Sequence, residues 1–143
     1  MPWFSRGDDR NRTGKSSVLN YQEERCSMFV RGSNLPEVVT AHGPDLPVRK
    51  RVLVPRGIIP HIMQLATSVS IGPCDLSADL HTHKTMWEIW FVLDGRATFH
   101  IGDETHPVGP GDLVAAPPNT FHPYRVETDE VLKLFYMGVA TDE

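Results

Sequence analysis

The sequence predicts an all-β protein, a sandwich or barrel of short antiparallel strands in one domain. From residue 61 onward, runs of β-branched and aromatic residues alternate with clusters of Gly, Pro, Asn and Asp, which is typical of such folds. No window carries three turns of amphipathic helix with start and stop residues at both ends. At 143 residues, the chain is long enough to enclose one apolar core and too short for two.

The predicted strands are short runs that follow one another along the chain. They are HIMQLATSVSI (61–71), EIWFVLD (88–94), RATFHI (96–101), DLVAA (112–116), NTFHPYRV (119–126) and VLKLFYMGV (131–139). Turns are marked by Asp94-Gly95, by Gly102-Asp103 and by GPGD at 109–112, which supply the backbone angles that a tight reversal requires. We therefore expect successive strands to be antiparallel neighbours.

Residues 1–50 are predicted to form an N-terminal arm and an extended segment. The first 20 or so residues are polar and lack apolar periodicity, so they are expected to be partly disordered. Prolines then interrupt short apolar pieces up to residue 50, a poor pattern for a long helix. Cys26 and Cys74 lack a CxxC spacing, and we expect both to be free thiols.

Composition and charge exclude several classes of function. The formal net charge is -4 and the basic residues form no long stripe, so nucleic acid is not an expected partner. No apolar stretch approaches the roughly 20 residues that span a bilayer, and the N-terminus lacks the apolar region of a secretory signal. These features predict a cytoplasmic protein without a membrane partner.

Three histidines and one glutamate form a candidate metal site. His81 and His83 are two residues apart, and on a strand they project from one face. A bend at 84–86 can return Glu88 to the same cavity on the next strand, and His122 falls on a predicted strand that can add a fourth ligand. This set suits Fe(II), Mn(II), Ni(II), Co(II) or Zn(II), and leaves an octahedral ion two open positions.

Two segments carry a family resemblance. HTHKTMWEIWFVLDG (81–95) has the form HxHxxxxExxxxxxG, and GDLVAAPPNTFH (111–122) is similar to the segment that accompanies it. Together they resemble the small, single-domain, metal-binding members of the cupin superfamily. The resemblance covers roughly residues 61–139. It implies one double-stranded β-helix, or jelly-roll, barrel over 51–143, with His81, His83, Glu88 and His122 as metal ligands.

One departure from the family pattern has a physical explanation. The glycine that is usual between the motif proline and histidine is Asn119 here. Asparagine is the non-glycine residue that best tolerates left-handed backbone angles. The departure is therefore compatible with the same turn.

Strand alternation places further polar and aromatic residues near the expected site. Trp90 shares the face of Glu88 and is expected to contact the substrate or to pack in the core. Thr120 and Tyr124 share the face of His122, which predicts a substrate contact for Thr120 and a catalytic proton donor in Tyr124. Gln64 is a polar residue in an apolar strand and is expected to contact the substrate from inside the barrel.

The resemblance leaves three classes of function open. The first expectation is an Fe(II)-dependent dioxygenase that acts on a small molecule. The second is an isomerase, cyclase or decarboxylase that uses Zn, Mn or Ni only as a Lewis acid, and the third is a non-catalytic small-molecule sensor. Trp87, Ile89 and Phe91 would form an apolar stripe opposite Glu88, which predicts burial against a second sheet or a homodimer.

Overall fold

The regular secondary structure of the described residues is almost entirely β, as the sequence predicts. The structure is a computed structural model that describes residues 28–39, 47–76, 82–127 and 129–141. The predicted arm, Cys26 and His81 therefore lie outside the described residues. The only helical element among the described residues is a single 3-10 turn at Gly32–Asn34, and none of these residues forms a helix able to cross a membrane.

Ten strands run through the described residues. They are β1 (Val38–Val39), β2 (Val48–Val54), β3 (Ile62–Ile71), β4 (Cys74–Asp75), β5 (Met86–Asp94), β6 (Ala97–Ile101), β7 (Glu104–Val108), β8 (Leu113–Ala116), β9 (Tyr124–Val126) and β10 (Val131–Ala140). They form a six-stranded sheet in the order β1-β2-β3-β10-β5-β8 and a four-stranded sheet in the order β4-β9-β6-β7. Every pairing is antiparallel.

The core lies between the two sheets, which gives the jelly-roll arrangement expected from the sequence. Leu132 and Leu134 of β10 and Val92 of β5 are fully buried from one sheet, and Phe99 and Val126 are fully buried from the other. Buried and less buried residues alternate along β3, β6 and β9, because successive side chains of a strand point to opposite faces.

The predicted turns are confirmed by their backbone geometry. Gly95 and Gly111 have φ angles of 81° and 91°, a region that glycine enters without steric cost. The Asp94 side chain accepts a hydrogen bond from the backbone N–H of Gly95, and that of Asp112 accepts one from Gly109. These carboxylates stabilise the reversals by accepting hydrogen bonds from the backbone N–H groups of neighbouring glycines.

Four strands were not predicted, the two-residue β1 and β4 among them, and one predicted strand is shorter than expected. β2 and β7 were missed, because β2 carries three consecutive basic residues and β7 contains Pro107. The run predicted over 119–126 is a strand only at Tyr124–Val126. Val48–Lys50, within the predicted N-terminal segment, pair with β3, while the division into 1–50 and 51–143 stays a prediction.

Candidate metal centre

The structure brings together three of the four predicted ligands. Nε2 of His83 lies 2.8 Å from Oε2 of Glu88, and Nε2 of His122 lies 3.0 Å from the same oxygen. Together these side chains form a group able to hold a metal ion, with one ligand atom each and all atoms within 4.8 Å of one another. The fourth predicted ligand, His81, lies outside the described residues.

Glu88 enters the centre from β5, on the face of the strand that points into the barrel. Its neighbour Trp90 is buried on that same face, and its cross-strand partners are Ala116 of β8 and Gly138 of β10. The carboxylate is 14% exposed. The predicted placement of Glu88 and Trp90 on one face of a strand is therefore correct.

His83 does not lie on a strand, contrary to the prediction. It occupies the connection that precedes β5, where the chain bends at Lys84 and Thr85 before the strand begins at Met86. The backbone N–H of Asn119 donates a hydrogen bond of 2.7 Å to the carbonyl oxygen of His83. This bond joins the segment that carries His83 to the loop between β8 and β9.

His122 also lies outside a strand, two residues before β9, and its preceding loop orients the ring. Pro123 follows His122 and has no N–H to give to a strand ladder. Nδ1 of His122 donates a hydrogen bond of 2.7 Å to the carbonyl oxygen of Thr120, because a carbonyl can only accept. This bond directs Nε2 towards Glu88, the arrangement that holds a metal-binding imidazole in one tautomer.

The hydrogen bonding of His122 implies a positive charge at the centre. When Nδ1 carries the proton of a neutral imidazole, Nε2 carries a lone pair. That lone pair faces a carboxylate oxygen at 3.0 Å, and two acceptors at this distance need a proton or a metal ion between them. His122 is 4% exposed, so the charge is well shielded from water.

Electrostatics keep the carboxylate ionised. Burial opposes ionisation of Glu88, but the hydrogen bonds and positive charge supplied by His122 and His83 outweigh burial and lower its pKa to about 2. Ligand spacing also fits a metal: donors about 2.1 Å from an ion and about 90° apart lie about 3.0 Å from each other. The distances from Oε2 of Glu88 to the two Nε2 atoms, 2.8 and 3.0 Å, match this value.

Trp90 and Thr120 border the centre. The Trp90 ring lies between His122 and Phe99, with centroid distances of 5.3 Å to each, so it closes the inner side of the site. Thr120 contributes its carbonyl oxygen to His122. Substrate contacts by Trp90 and Thr120 stay predictions.

Tyr124 and Gln64 lie inside the barrel. Tyr124 is buried and forms a hydrogen bond of 2.7 Å with Ser70; burial raises its pKa well above the ordinary value despite this bond. Oε1 of Gln64 accepts hydrogen bonds from Lys50 and from Tyr136. The assigned roles of Tyr124 and Gln64 stay predictions.

Sequence reasoning missed Lys50 and Tyr136 as interior residues. Tyr136 continues the alternation of the buried Leu132 and Leu134, which was a usable signal. Lys50 offered none, because its strand was not predicted.

Comparison with known proteins identifies the family. The cupin domain family matches residues 67–138, half of the chain, and the chain therefore belongs to that family. One sequence relative is an uncharacterized protein of Methanocaldococcus jannaschii. It is 34% identical over 58 residues, which cover 41% of this chain and 45% of that protein.

Solved structures share the fold at low sequence identity. A protein of Thermotoga maritima described as a predicted oxalate decarboxylase aligns with a TM-score of 0.69 and 18% identity, over 79% of this chain and 99% of that chain. The polyketide cyclase RemF of Streptomyces resistomycificus aligns with a TM-score of 0.66 and 17% identity, over 81% and 80% of the two chains. At these identities the likeness concerns the fold alone.

Proposed function

We propose that the protein is a metal-dependent enzyme that acts on a small molecule. One divalent transition metal, Fe(II) in the first instance and otherwise Mn, Ni, Co or Zn, would be held by His83, Glu88 and His122, with His81 as the expected fourth ligand. The observation that carries the proposal is the convergence of two imidazole nitrogens on one carboxylate oxygen, at the spacing of neighbouring metal ligands.

The residues around the centre have separable tasks. A bound metal would supply Lewis-acid or redox chemistry. Thr120 holds the His122 ring through its carbonyl oxygen. Trp90 packs against the same ring and shields the inner side of the centre from water. The His83 side chain is 33% exposed and lies on the side that is open to substrate. Tyr136, whose pKa burial and the Glu88 carboxylate raise to about 12, stays protonated and donates hydrogen bonds.

Fe(II)-dependent dioxygenation is the specific reaction we propose first. It follows from the resemblance to cupins with three histidines and one glutamate. The second candidate is an oxygen-independent isomerase, cyclase or decarboxylase. It is favoured by the two interior phenols of Tyr124 and Tyr136, which burial keeps protonated and able to donate hydrogen bonds. Two structural relatives are described as a predicted oxalate decarboxylase and a polyketide cyclase, which also supports this class.

Other sequence-based expectations stay part of this proposal. They are a cytoplasmic location, a homodimer, and the absence of nucleic-acid and membrane partners. A non-catalytic small-molecule sensor is the alternative if the loaded protein binds ligands and turns none over.

The proposal is tested by metal analysis after anaerobic purification. The wild type is compared with His83→Ala and Glu88→Gln. The matched controls are His106→Ala and Glu104→Gln, which alter an exposed His–Glu pair with a 3.1 Å contact on β7. Stoichiometric metal in the wild type and in the controls, but not in the two site variants, is the expected result. No metal in reconstituted wild type would overturn the proposal.

Oxygen uptake then separates the two reaction classes. A panel of small molecules is offered to iron-loaded protein in an oxygen electrode. Uptake that requires both iron and one member of the panel supports dioxygenation. Turnover of a panel member without uptake supports the Lewis-acid class.

A further inference from the structure

One strand of the barrel points a cation into the interior. Lys50 of β2 pairs with Ser68 of β3, and directly opposed residues of antiparallel strands project to the same face. Ser68 is buried, as is Val48 two residues before Lys50. Lys50 therefore lies on the inner face of the sheet, while its neighbours Arg49 and Arg51 project to the outer face.

The ammonium group of Lys50 is held by neutral partners. Its Nζ donates a hydrogen bond of 3.3 Å to Oε1 of Gln64, and the Tyr136 hydroxyl donates one of 3.2 Å to the same oxygen. Among the described residues, no carboxylate lies within ion-pairing distance of this half-buried ammonium. A cation that has lost part of its hydration shell is stabilised when an anion reaches it.

This cluster lies beside the candidate metal centre. Gln64 of β3 is opposite Gly138 of β10, which is in turn opposite Glu88 of β5. Two strand spacings separate the backbones of Gln64 and Glu88, about 10 Å. Gly138 places no side chain of its own between them, and the thioether of Met86 packs against it. Met86 is a flexible side chain that a ligand can displace.

The charges favour a ligand of defined character. A divalent ion with one carboxylate and neutral imidazoles leaves a net charge of about +1, and Lys50 raises the local charge to about +2. Two separated positive charges attract small anions with two separated acceptor groups. Among the described residues no Asp or Glu side chain is fully buried, so the interior supplies no carboxylate besides that of Glu88 to neutralise this charge.

We propose that Lys50, positioned by Gln64 beside Tyr136, binds the anionic end of the substrate. The substrate is then a small acid with metal-binding oxygens at one end and a carboxylate at the other. The proposal rests on the proposed function, because the other end of the acid needs the metal. It assigns Lys50 to substrate recognition and Gln64 to positioning.

The test measures binding to cobalt-loaded protein by calorimetry and by the visible absorption of the metal. The probes are two matched pairs: malate with 2-hydroxybutanoate, and 2-hydroxyglutarate with 2-hydroxypentanoate. Each pair shares the metal-binding hydroxy acid and differs only in a far carboxylate or methyl group. In the wild type, we expect the diacid of at least one pair to bind about ten-fold more tightly than its methyl partner.

Variants assign the preference to Lys50. Lys50→Met should bring the two affinities of that pair within about two-fold, with metal content unchanged, and Lys50→Arg should keep most of the preference. The control is Lys133→Met, which removes an exposed cation paired with Asp94 outside the barrel, and should keep the full preference. A merely structural role of Lys50 would lower both affinities equally and leave their ratio unchanged.

Failure of the subsite and failure of the proposed function give different results. Metal bound by the wild type, with no diacid preference in either pair or with a preference that Lys50→Met retains, overturns the subsite alone. Failure of reconstituted wild type to bind metal overturns the proposed function and the subsite with it. Circular dichroism melts of each variant confirm that the binding data refer to folded protein.

Discussion

Asn119 provides a direct test of how the backbone supports the candidate metal centre. It has a φ of 60°, and the N–H of Thr120 donates to the carbonyl of Pro117 across it. Proline at the second position and a positive φ at the third are the pattern of a type II turn. The same residue donates its own N–H to the carbonyl of His83 at 2.7 Å. We therefore expect strain in this turn to displace the segment that carries the ligand His83.

The expected energies follow from the positive φ. A Cβ in the left-handed region costs about 1–2 kcal/mol, and asparagine escapes part of that cost through its short polar side chain. Asn119→Gly should be within about 0.5 kcal/mol of wild type, because relief of strain offsets the greater freedom of the unfolded chain. Asn119→Ala should cost about 1 kcal/mol and Asn119→Val about 2 kcal/mol, or roughly 3 and 6 °C in melting temperature.

A second residue separates the general cost of strain from its effect on the site. Asp129 has a φ of 69° and is exposed in the connection between β9 and β10. Asp129→Val should lose a similar free energy of unfolding to Asn119→Val. Only the Asn119 variant should weaken metal binding, by about ten-fold, as expected when a ligand loses its support.

The assays are urea unfolding of metal-free protein and competitive titration with a metal chelator. If Asn119→Val is as stable as Asn119→Gly, the positive φ of residue 119 carries no strain. The link to the site is refuted if Asp129→Val weakens metal binding as much as Asn119→Val does.

Gly95, Tyr124 and Leu113 each contribute to folding or assembly in a way that one substitution can measure. Gly95→Ala should cost at least about 2 kcal/mol in unfolding experiments, since its Cβ would collide with the carbonyl oxygen of Val131; near-wild-type stability would contradict this. Tyr124→Phe should lower the free energy of unfolding by about 1–2 kcal/mol, because it removes the hydrogen bond to buried Ser70. If Tyr124 is also catalytic, kcat should fall by more than the loss of folded protein explains. Leu113 is 63% exposed on the outer face of the six-stranded sheet. Leu113→Glu should convert the predicted homodimer to a monomer in sedimentation experiments. A monomeric wild type would contradict the predicted homodimer.

The fold could be predicted because its determinants are local. The turn at Asp94-Gly95 needs one residue that accepts positive φ and one acceptor for its N–H, and both are adjacent in the sequence. The final strand, predicted over 131–139 and found at Val131–Ala140, alternates buried and less buried residues at its start. Such features require no knowledge of distant contacts.

The local structure of the ligands was harder to predict than their identity. His83 and His122 were expected on strands, yet both lie in connections, and the spacing pattern still selected them correctly for the cluster. A usable signal was present for His122, since Pro117, Pro118 and Pro123 lack the N–H groups that a ladder needs. The loop backbone, and not a strand, brings the two histidines together, because the backbone N–H of Asn119 donates a hydrogen bond to the carbonyl of His83.

The interior position of Lys50 depends on a register that the sequence alone does not reveal. Three consecutive cations occupy 49–51, and period-two alternation allows either the middle one or the two outer ones to face inward. Pairing of Val48 with Ser70 decides between them, because this register buries Val48, which is 2% exposed. A slip by one residue would expose Val48 and place two guanidinium groups inside the barrel. The apolar packing that specifies the sheet therefore also places Lys50, rather than Arg49 and Arg51, on the inner face.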